Sequence, residues 1–542
     1  MERFIKTTSN FIFSKQKSIF SSAMLLSFMI VLTSLSGFLR YRVLAGYFNK
    51  EQLDIFFASF RIPDLIFEIL ITGALTTTFI PIFLCYKNNK TELSENISSI
   101  INFILLIMSA FVILTSFFLD RLIPVLTPGY SIEKTEKIIY FSRLLLLGQL
   151  PFFVAANFLT GIGQANKMFF LSALAPVLYN LTIIVTTVFF HTSINLSAPI
   201  WGVIFGSLIL FLIQFPLLMS SGFVYKLLLK KTKGLIDFIR LVIPRTFTII
   251  VAQIDATIDL TLATLLGGGA YTVFYLAQHL QLLPVSVIGI ALGQASLPYL
   301  TEIYQEKKLD EFKKIITDSL LNLFFLTVPL ALFFIFARTP LIRFFFGGQK
   351  FDWEATVLTA VTLSYFSIGL PFHSVYYLLT RCFYALMDSR TPFFIGFFSI
   401  LINTGLSLFF VFYLHLPIWA LAISFSISMI VNSTLLFLFL WKRISGFNFY
   451  FISMELVKIN ISAGISAVIS YLSMKLLDGL IFDTSFTINV FLLLATTFTI
   501  FILLYLLISW LLDVKEIYLI SRLALKAKEY QKKITELYTR YE

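Results

Sequence analysis

Two arginines, Arg40 and Arg42, end a stretch of about thirty residues that is otherwise largely apolar. An ionisable side chain in the middle of a membrane helix costs about 2.5–3.5 kcal/mol, so such groups usually face a cavity or one another. The apolar stretches of this chain hold a set of them: Arg40, Arg42, Arg61, Glu68, Arg143, Arg245, Asp255, Asp259, His279 and Arg381. Any single one could instead reach the interface or form a structural ion pair. Together they favour a wet, positively biased interior.

Guanidinium groups are suited to phosphate, because their planar fork of donors matches its oxygens. Arg40 and Arg61 fall on adjacent predicted helices, whereas Arg40 and Arg42 are about 200° apart on one helix and cannot share a face. A cationic cavity between helices therefore suits an anionic substrate such as a phosphorylated lipid.

The composition predicts the elements that hold these residues. Of 542 residues, 58% are hydrophobic and 13% are charged, and the mean hydropathy is +0.90, whereas soluble proteins carry about 25% charged residues. Apolar runs long enough to cross the bilayer recur along the chain, and they are continuous rather than alternating, which excludes a β-barrel. We expect an all-α, polytopic membrane protein with about fourteen spans near these residues: 19–46, 54–84, 97–119, 138–163, 169–190, 199–221, 237–266, 271–300, 317–337, 355–386, 393–413, 418–440, 455–476 and 485–511.

Lysine and arginine residues indicate the orientation, because cytoplasmic loops carry an excess of them. With the N-terminus (1–18) inside, the cluster Lys226/Lys230/Lys231/Lys233 and most other basic residues fall on the cytoplasmic side. Both termini are then cytoplasmic, and the net charge of +12 needs no nucleic acid to explain it. The charged tail, 513–542, is expected to form a cytoplasmic helix near anionic headgroups, or equally a plain solvated one.

An internal repeat predicts two lobes. Ala58 and Pro81 correspond to Ala277 and Pro298 in a second copy. Lys167 and Asn180 correspond to Arg390 and Asn403, and all offsets lie between 217 and 223 residues. Chance similarity between apolar segments is the alternative. Duplication of six spans gives an N-lobe at 19–222 and a C-lobe at 237–441, related by a pseudo-two-fold axis along the membrane normal, with two extra helices at 452–512. This is an architecture typical of transporters.

Motifs for catalysis are missing from the sequence. It has no Walker A sequence, no His-Glu-x-x-His and no Cys/His cluster, so we expect neither an enzyme nor a bound cofactor. A membrane glycosyltransferase or polymerase would need an acidic residue on a sizeable outer loop, and a cation-coupled drug exporter would have twelve spans with acidic residues in its first lobe.

Several stretches resemble the MurJ (MviN) family of bacterial lipid II flippases, which belongs to the multidrug/oligosaccharidyl-lipid/polysaccharide exporter superfamily. The similarity covers most of the chain. The stretches are Gly37-Phe-Leu-Arg40, Asp54-x-Phe-Phe-Ala-x-Phe-Arg-Ile-Pro63, Gly73-Ala74 with Phe79-Ile-Pro81, Thr127-Pro-Gly-Tyr130, Ala175-Pro176 with Asn180, Gln253 with Asp259, and Ile288-Gly-Ile-Ala-Leu-Gly293. The most specific is Arg381-Cys-Phe-Tyr-Ala-Leu-Met-Asp-Ser-Arg-Thr-Pro392.

The resemblance implies alternating access. A lipid carrying a pyrophosphate and a sugar-peptide head would move from the inner to the outer leaflet of the bacterial plasma membrane, with its polyprenyl tail along spans 13 and 14. No bond changes. A flippase for another polyprenyl-linked oligosaccharide is the nearest alternative. The protein is expected to be a monomer among membrane lipids.

The implied substrate-binding residues are Arg40, Arg42, Asp54, Arg61 and His279. The family usually has arginines where this chain has Ser34, Phe67 and His279, so its anion-binding set is only partly present, and Arg42 and His279 could compensate. Packing of His279 against Gln278 or Gln281 is the alternative.

A cation site is predicted in the second half. Asp255 and Asp259 lie four residues apart on one helix face, and unpaired carboxylates in a membrane tend to protonate unless a cation binds. The resemblance implies that Asn403 and Ser424 join Asp259 as ligands of a sodium ion, with a proton as the alternative. Ser407 stands where some members have an aspartate, and Asp255 could replace that charge. A structural pair of an aspartate with Arg245 is the other reading.

Overall fold

The computed structural model describes residues 19–72, 78–444 and 446–518, and these ranges contain helices and no strand. The N-terminus predicted at 1–18, and the predicted tail from residue 519 onward, lie outside the described residues. The helices are α1 (Ile19–Tyr47), α2 (Lys50–Ser59), α3 (Arg61–Phe67), α4 (Ile80–Tyr86), α5 (Lys90–Leu126), α6 (Ile132–Gly148), α7 (Leu150–Ala165), α8 (Phe170–Ile194), α9 (Ser197–Ser220), α10 (Lys233–Leu265), α11 (Ala270–Pro284), α12 (Ala291–Gln305), α13 (Leu309–Phe336), α14 (Arg338–Phe346), α15 (Trp353–Ala385), α16 (Arg390–Leu408), α17 (Trp419–Arg443), α18 (Phe449–Leu480) and α19 (Thr487–Leu511).

Twelve helical stretches of the described residues are long and apolar enough to cross a membrane. The all-α, multi-pass architecture is therefore confirmed, while the count of fourteen stays a prediction. The predicted spans 54–84 and 237–266 are not among the twelve. The first is divided into α2, α3, a π-helical turn at Glu68–Thr72 and α4. The second is the continuous helix α10, whose sequence carries several basic residues and three aspartates, including Asp255 and Asp259.

Local sequence signals explain where the divided region begins. Asn49 caps α2 through a reciprocal pair of hydrogen bonds: its Oδ1 accepts the backbone N–H of Gln52 at 2.9 Å, and its own N–H donates to Gln52 Oε1 at 3.1 Å. This capping box satisfies two amide groups that a helix start leaves without partners. The next helix, α3, begins at Arg61, directly after the C-cap residue Phe60. The break between α2 and α3 places Arg61 at a helix start.

The chain forms two compact units: the first contains residues 1–272 and 345–355, and the second contains 273–344 and 356–542. The lobes predicted at 19–222 and 237–441, with 452–512 as an addition, stay a prediction. In the first unit, a Cβ atom on Gly129 would lie 2.0 Å from the carbonyl oxygen of Thr264, so only glycine fits this turn of the Thr127–Tyr130 motif.

The second unit packs around a core formed by α13, α15 and α19. Phe325, Leu379 and Tyr505 are almost fully buried there, and the Tyr505 hydroxyl donates to the carbonyl oxygen of Phe325 at 2.9 Å. Gly289 and Gly293 lie against the backbone of α15, where added Cβ atoms would come within 2.7 Å of Ser374 Cα and 3.0 Å of the Tyr377 carbonyl oxygen. Both glycines of the Ile288–Gly293 motif therefore serve close helix packing.

Candidate functional site

Arg40 lies on α1 and is held by α8 within the first unit. Its Nη1 donates to Asn180 Oδ1 at 3.0 Å, and Asn180 Nδ2 in turn donates to Ser36 Oγ at 2.9 Å. The Arg40 guanidinium also lies 4.6 Å from the ring centre of Tyr41. A neutral amide thus orients the half-buried guanidinium without cancelling its charge. The internal repeat pairs Asn180 with Asn403 but predicts no role for it. In the structure Asn180 orients Arg40.

Arg61, at the start of α3, is held by α10. Its Nη2 donates to the carbonyl oxygen of Gln253 at 2.8 Å and to Gln253 Oε1 at 3.1 Å, and its Nε donates to Thr257 Oγ1 at 3.1 Å. The acceptors of these hydrogen bonds are neutral oxygen atoms, which orient the guanidinium. Arg61 also lines a cavity of about 10 Å³ together with Tyr271, which is room for roughly one water molecule.

Asp64 is a charged residue near both arginines that the sequence analysis did not select. It lies one turn after Arg61, within electrostatic range of Arg61, Arg40 and Glu68. Because Arg40 and Arg61 share this neighbour, the structure brings the two arginines into one electrostatic environment of the first unit. The signal in the sequence was its place in the same run, Arg61-Ile-Pro-Asp64.

Asp54 is fully buried, and its carboxylate binds the N-terminus of α11. Oδ2 accepts the backbone N–H of Gly269 at 2.6 Å, and Oδ1 accepts the backbone N–H and the hydroxyl of Thr272 at 2.9 and 2.8 Å. Lys134 Nζ lies 4.0 Å from the same carboxylate. A negative charge at a helix N-terminus is stabilising. Asp54 therefore has a structural task, and its predicted contact with substrate stays a prediction.

Arg42 and His279 are both half-buried and belong to different units. His279 Nδ1 lies 2.8 Å from the carbonyl oxygen of Tyr275, and the two rings are 4.0 Å apart. His279 thus contacts Tyr275, and its packing against Gln278 or Gln281 stays a prediction. Phe67, another position where the family usually has arginine, packs edge-on against Phe153 at 4.8 Å.

The predicted cation ligands divide between the two units. Asp255 and Asp259 lie on α10 in the first unit, where Asp259 is 2% exposed and Asp255 is half-buried. The side chain of Arg245 lies outside the described part, so its pairing with an aspartate stays a hypothesis. In the described residues no group of three His, Cys, Asp or Glu side chains could hold a metal ion.

The other three predicted ligands, Asn403, Ser407 and Ser424, are fully buried on α16 and α17 in the second unit. The two helices are linked by reciprocal hydrogen bonds, in which Ser399 Oγ donates to the Ser428 carbonyl at 2.9 Å and Ser428 Oγ donates to the Ser399 carbonyl at 2.8 Å. In an antiparallel pair, the residues four positions further along α16 and four positions back along α17 then lie on the same seam. These are Asn403 and Ser424, which supply neutral oxygen atoms. Oxygen atoms of this kind fit a hard cation.

The Arg381–Pro392 motif has a local structural explanation. Asp388 caps α16: its Oδ1 accepts the backbone N–H groups of Arg390 and Thr391 at 3.0 and 3.1 Å, and its Oδ2 accepts the Thr391 hydroxyl at 2.7 Å. Arg443 Nη1 lies 3.3 Å from the same carboxylate. The Asp-x-x-Thr spacing of this motif therefore satisfies the first turn of α16.

Comparison with known proteins agrees with this architecture. The family model described as "Lipid II flippase MurJ" matches residues 48–492. The lipid II flippase MurJ of Burkholderia cenocepacia is 28% identical over 442 residues, covering 79% of this chain and 84% of that protein. The lipid II flippase MurJ of Thermosipho africanus is 28% identical over 381 residues, covering 69% of this chain and 76% of that protein.

Solved structures give the same result. A structure titled "Lipid II flippase MurJ, inward closed conformation" matches with a TM-score of 0.73 and 26% identity, covering 90% of this chain and 98% of that one. An inward-facing multidrug resistance MATE family transporter of the MOP superfamily matches with a TM-score of 0.65 but only 16% identity, covering 78% and 98%, and so shows a shared fold alone. Since the family model covers most of the sequence, this chain belongs to the lipid II flippase MurJ family.

Proposed function

We propose that this protein is a flippase that moves lipid II from the inner to the outer leaflet of the bacterial plasma membrane. Family membership supports the substrate. The observation on which the proposal rests is the pair of half-buried arginines, Arg40 and Arg61. Hydrogen bonds to Asn180, Gln253 and Thr257 orient the two guanidinium groups. A guanidinium oriented in this way is ready to bind the pyrophosphate of a lipid precursor.

The proposed mechanism is alternating access, in which the headgroup enters a cavity from the cytoplasmic leaflet and leaves outward. The polyprenyl tail stays in lipid along α18 and α19, which correspond to the predicted segment 452–512. No covalent bond forms or breaks, so the protein is not an enzyme in this proposal. It acts as a monomer with both termini in the cytoplasm. Terminal fusions to reporters that work on one side of the membrane test that orientation.

The decisive experiment is expression of this protein in bacteria depleted of their own flippase. Growth is scored together with the fraction of lipid II accessible to a lipid II-cleaving enzyme added outside the cell. Wild-type protein is expected to restore both. Arg40→Ala is expected to insert but to restore neither, and Arg40→Lys is expected to fail as well if two donors of the fork bind the phosphate.

Arg143→Ala is the matched control, since Arg143 pairs with Asp120 at 3.3 Å and belongs to no predicted site. It is expected to support growth and lipid II exposure like the wild type. Normal flipping by Arg40→Ala would refute the arginine assignment. Failure of the wild-type protein, expressed and inserted, would refute lipid II as the substrate and favour another polyprenyl-linked oligosaccharide.

We also propose that a sodium ion or a proton drives the cycle through Asp259. Burial of this carboxylate supports the proposal, because an ionised group in such a place needs a counter-charge. Asp255 on the same helix is proposed as the second acid, and the ligand roles of Asn403, Ser407 and Ser424 in the second unit stay predictions. Transport into vesicles is measured against sodium concentration, pH and membrane potential for the wild type and Asp259→Asn. Equal activity of the two proteins under all conditions removes Asp259 from coupling.

A further inference from the structure

The chain between α9 and α10 has no helical structure from Phe223 to Thr232, and we name this stretch the linker segment. Its sequence is FVYKLLLKKT, and Lys233 follows directly. Four lysines, at positions 226, 230, 231 and 233, thus fall close together. The linker segment starts three residues after the end of the membrane-spanning helix α9 at Ser220. It must therefore lie at the membrane boundary.

Polar side chains of α5 bind the backbone at the centre of the linker segment. Asn102 Nδ2 donates to the carbonyl oxygens of Lys226 at 3.0 Å and Leu228 at 2.8 Å. Ser98 Oγ accepts the backbone N–H of Lys226 at 3.0 Å. The Tyr225 hydroxyl donates to Asn102 Oδ1 at 2.5 Å. Backbone groups that an extended segment would otherwise expose are satisfied here by side chains.

The second half of the linker segment is bound by the preceding turn of α5. Ser99 Oγ accepts the backbone N–H of Lys230 at 3.3 Å, and Lys230 Nζ lies 3.0 Å from Glu95 Oε1. Asn96 Oδ1 accepts the backbone N–H of Gly234 at 2.8 Å. Five residues along one helix, from Glu95 to Asn102, therefore hold the segment at fixed points. These contacts fix which side chains of the linker segment face outward in the structure.

Side chains along the linker segment alternate between two faces, as in an extended chain, and every second side chain faces outward. Leu227 and Leu229 are 89% and 54% exposed, and Lys231 and Lys233 are also exposed. Two exposed leucines followed by two exposed lysines form an amphipathic edge, in which the apolar part could enter the interface and the ammonium groups could remain at headgroup level.

We propose that the linker segment is a docking site for anionic phospholipid headgroups of the adjoining leaflet. Leu227 and Leu229 enter the acyl boundary, and Lys231 and Lys233 on the same edge bind phosphate groups. Lys230 is left out because Glu95 already pairs with it. The bilayer is the occupant favoured over an acidic protein, because the segment continues directly from a membrane span and offers a flat edge.

The test places a fluorescent probe on the edge. Full-length Leu227→Trp protein is reconstituted into vesicles of phosphatidylcholine and phosphatidylglycerol in equal amounts, with either lipid brominated. The signal of the native tryptophans, measured on wild-type protein, is subtracted. Brominated phosphatidylglycerol is expected to quench the added tryptophan roughly twofold more than brominated phosphatidylcholine, because Lys231 and Lys233 attract the anionic lipid.

Two comparisons decide the result. Adding Lys231→Gln and Lys233→Gln to Leu227→Trp is expected to abolish the preference while quenching continues. Phe486→Trp, at a position 62% exposed before α19, is the control and should show no preference. Equal quenching of Leu227→Trp by the two lipids, or a preference that survives the lysine replacements, overturns the proposal. Absence of quenching by either lipid, as expected for a segment covered by a protein or by water, overturns it too.

Discussion

The carboxylate of Asp54 accepts the backbone N–H of Gly269 at 2.6 Å, across 215 residues of sequence. Gly269 precedes α11 and has a φ of +87°, a backbone conformation that glycine adopts without strain. The glycine run Gly267–Gly269 therefore shapes a turn that delivers free amide groups to a buried acid. This relationship leads to the first prediction.

Asp54→Ala is expected to lower thermal stability, because it leaves the backbone amide groups of Gly269 and Thr272 without their acceptor. The loss of such a charged cap costs on the order of 2 kcal/mol. Asp54→Asn keeps an acceptor oxygen, so its stability should lie between that of the wild type and that of Asp54→Ala. Thermal unfolding of the purified proteins in detergent measures their relative stability. Asp352→Asn, which removes an exposed partner of Lys50, should have little effect; equal stability of Asp54→Ala and Asp352→Asn would contradict this account.

Arg61 and Thr257 are expected to be energetically coupled. The Arg61 side chain donates to Thr257 through both Nε and Nη2, so Arg61→Ala and Thr257→Val should be non-additive in stability. A coupling of about 1 kcal/mol is expected from a double-mutant cycle. A second cycle that combines Arg61→Ala with Thr186→Val, on α8, is the control and should be additive. Additivity of both cycles would show that the Arg61–Thr257 contact contributes nothing to stability.

His279→Arg is expected to retain transport and to show a weaker dependence of transport on pH. A free histidine side chain has a pKa near 6.5 and so carries a positive charge only part of the time at neutral pH, whereas arginine is always charged. Lipid II exposure between pH 6 and pH 8 measures the difference. His279→Phe keeps a ring against Tyr275 and is the control for packing. An inactive His279→Arg with an active His279→Phe would show that packing alone matters at this position.

Asp388 is expected to stabilise the protein less as the pH falls. Burial opposes its ionised form, but hydrogen bonds from Thr391 and the charge of Arg443 outweigh burial and lower the pKa of Asp388. A group whose pKa is lower in the folded state contributes stability above its unfolded pKa, near 3.9, and loses it as the pH falls through its folded value. Wild type should exceed Asp388→Asn by about 1 kcal/mol at pH 6–8. The difference should shrink below pH 4; a constant difference down to pH 3 would contradict the assignment.

The sequence predicted the class of fold because apolar length and continuity decide which helices cross a membrane. It also selected Arg40 and Arg61, since charged groups in apolar stretches have few tolerable places. It did not reveal the break between α2 and α3, because Phe60 lies inside the predicted span 54–84, which reads as one apolar run. Asp64 was missed for the same reason. The acceptors of Arg61 on α10 depend on tertiary packing between distant segments, which spacing along the chain does not encode.

The contact between Gly129 and Thr264 has a consequence for dividing the gene. Thr264 lies beyond the linker segment, yet it belongs to the same compact unit as Gly129, together with residues 345–355. A fragment ending at residue 222 would lack α10 and that short stretch, so its apolar surfaces and buried turn would remain uncovered. Such a fragment produced alone should be degraded in the cell, whereas two fragments produced together should rescue each other.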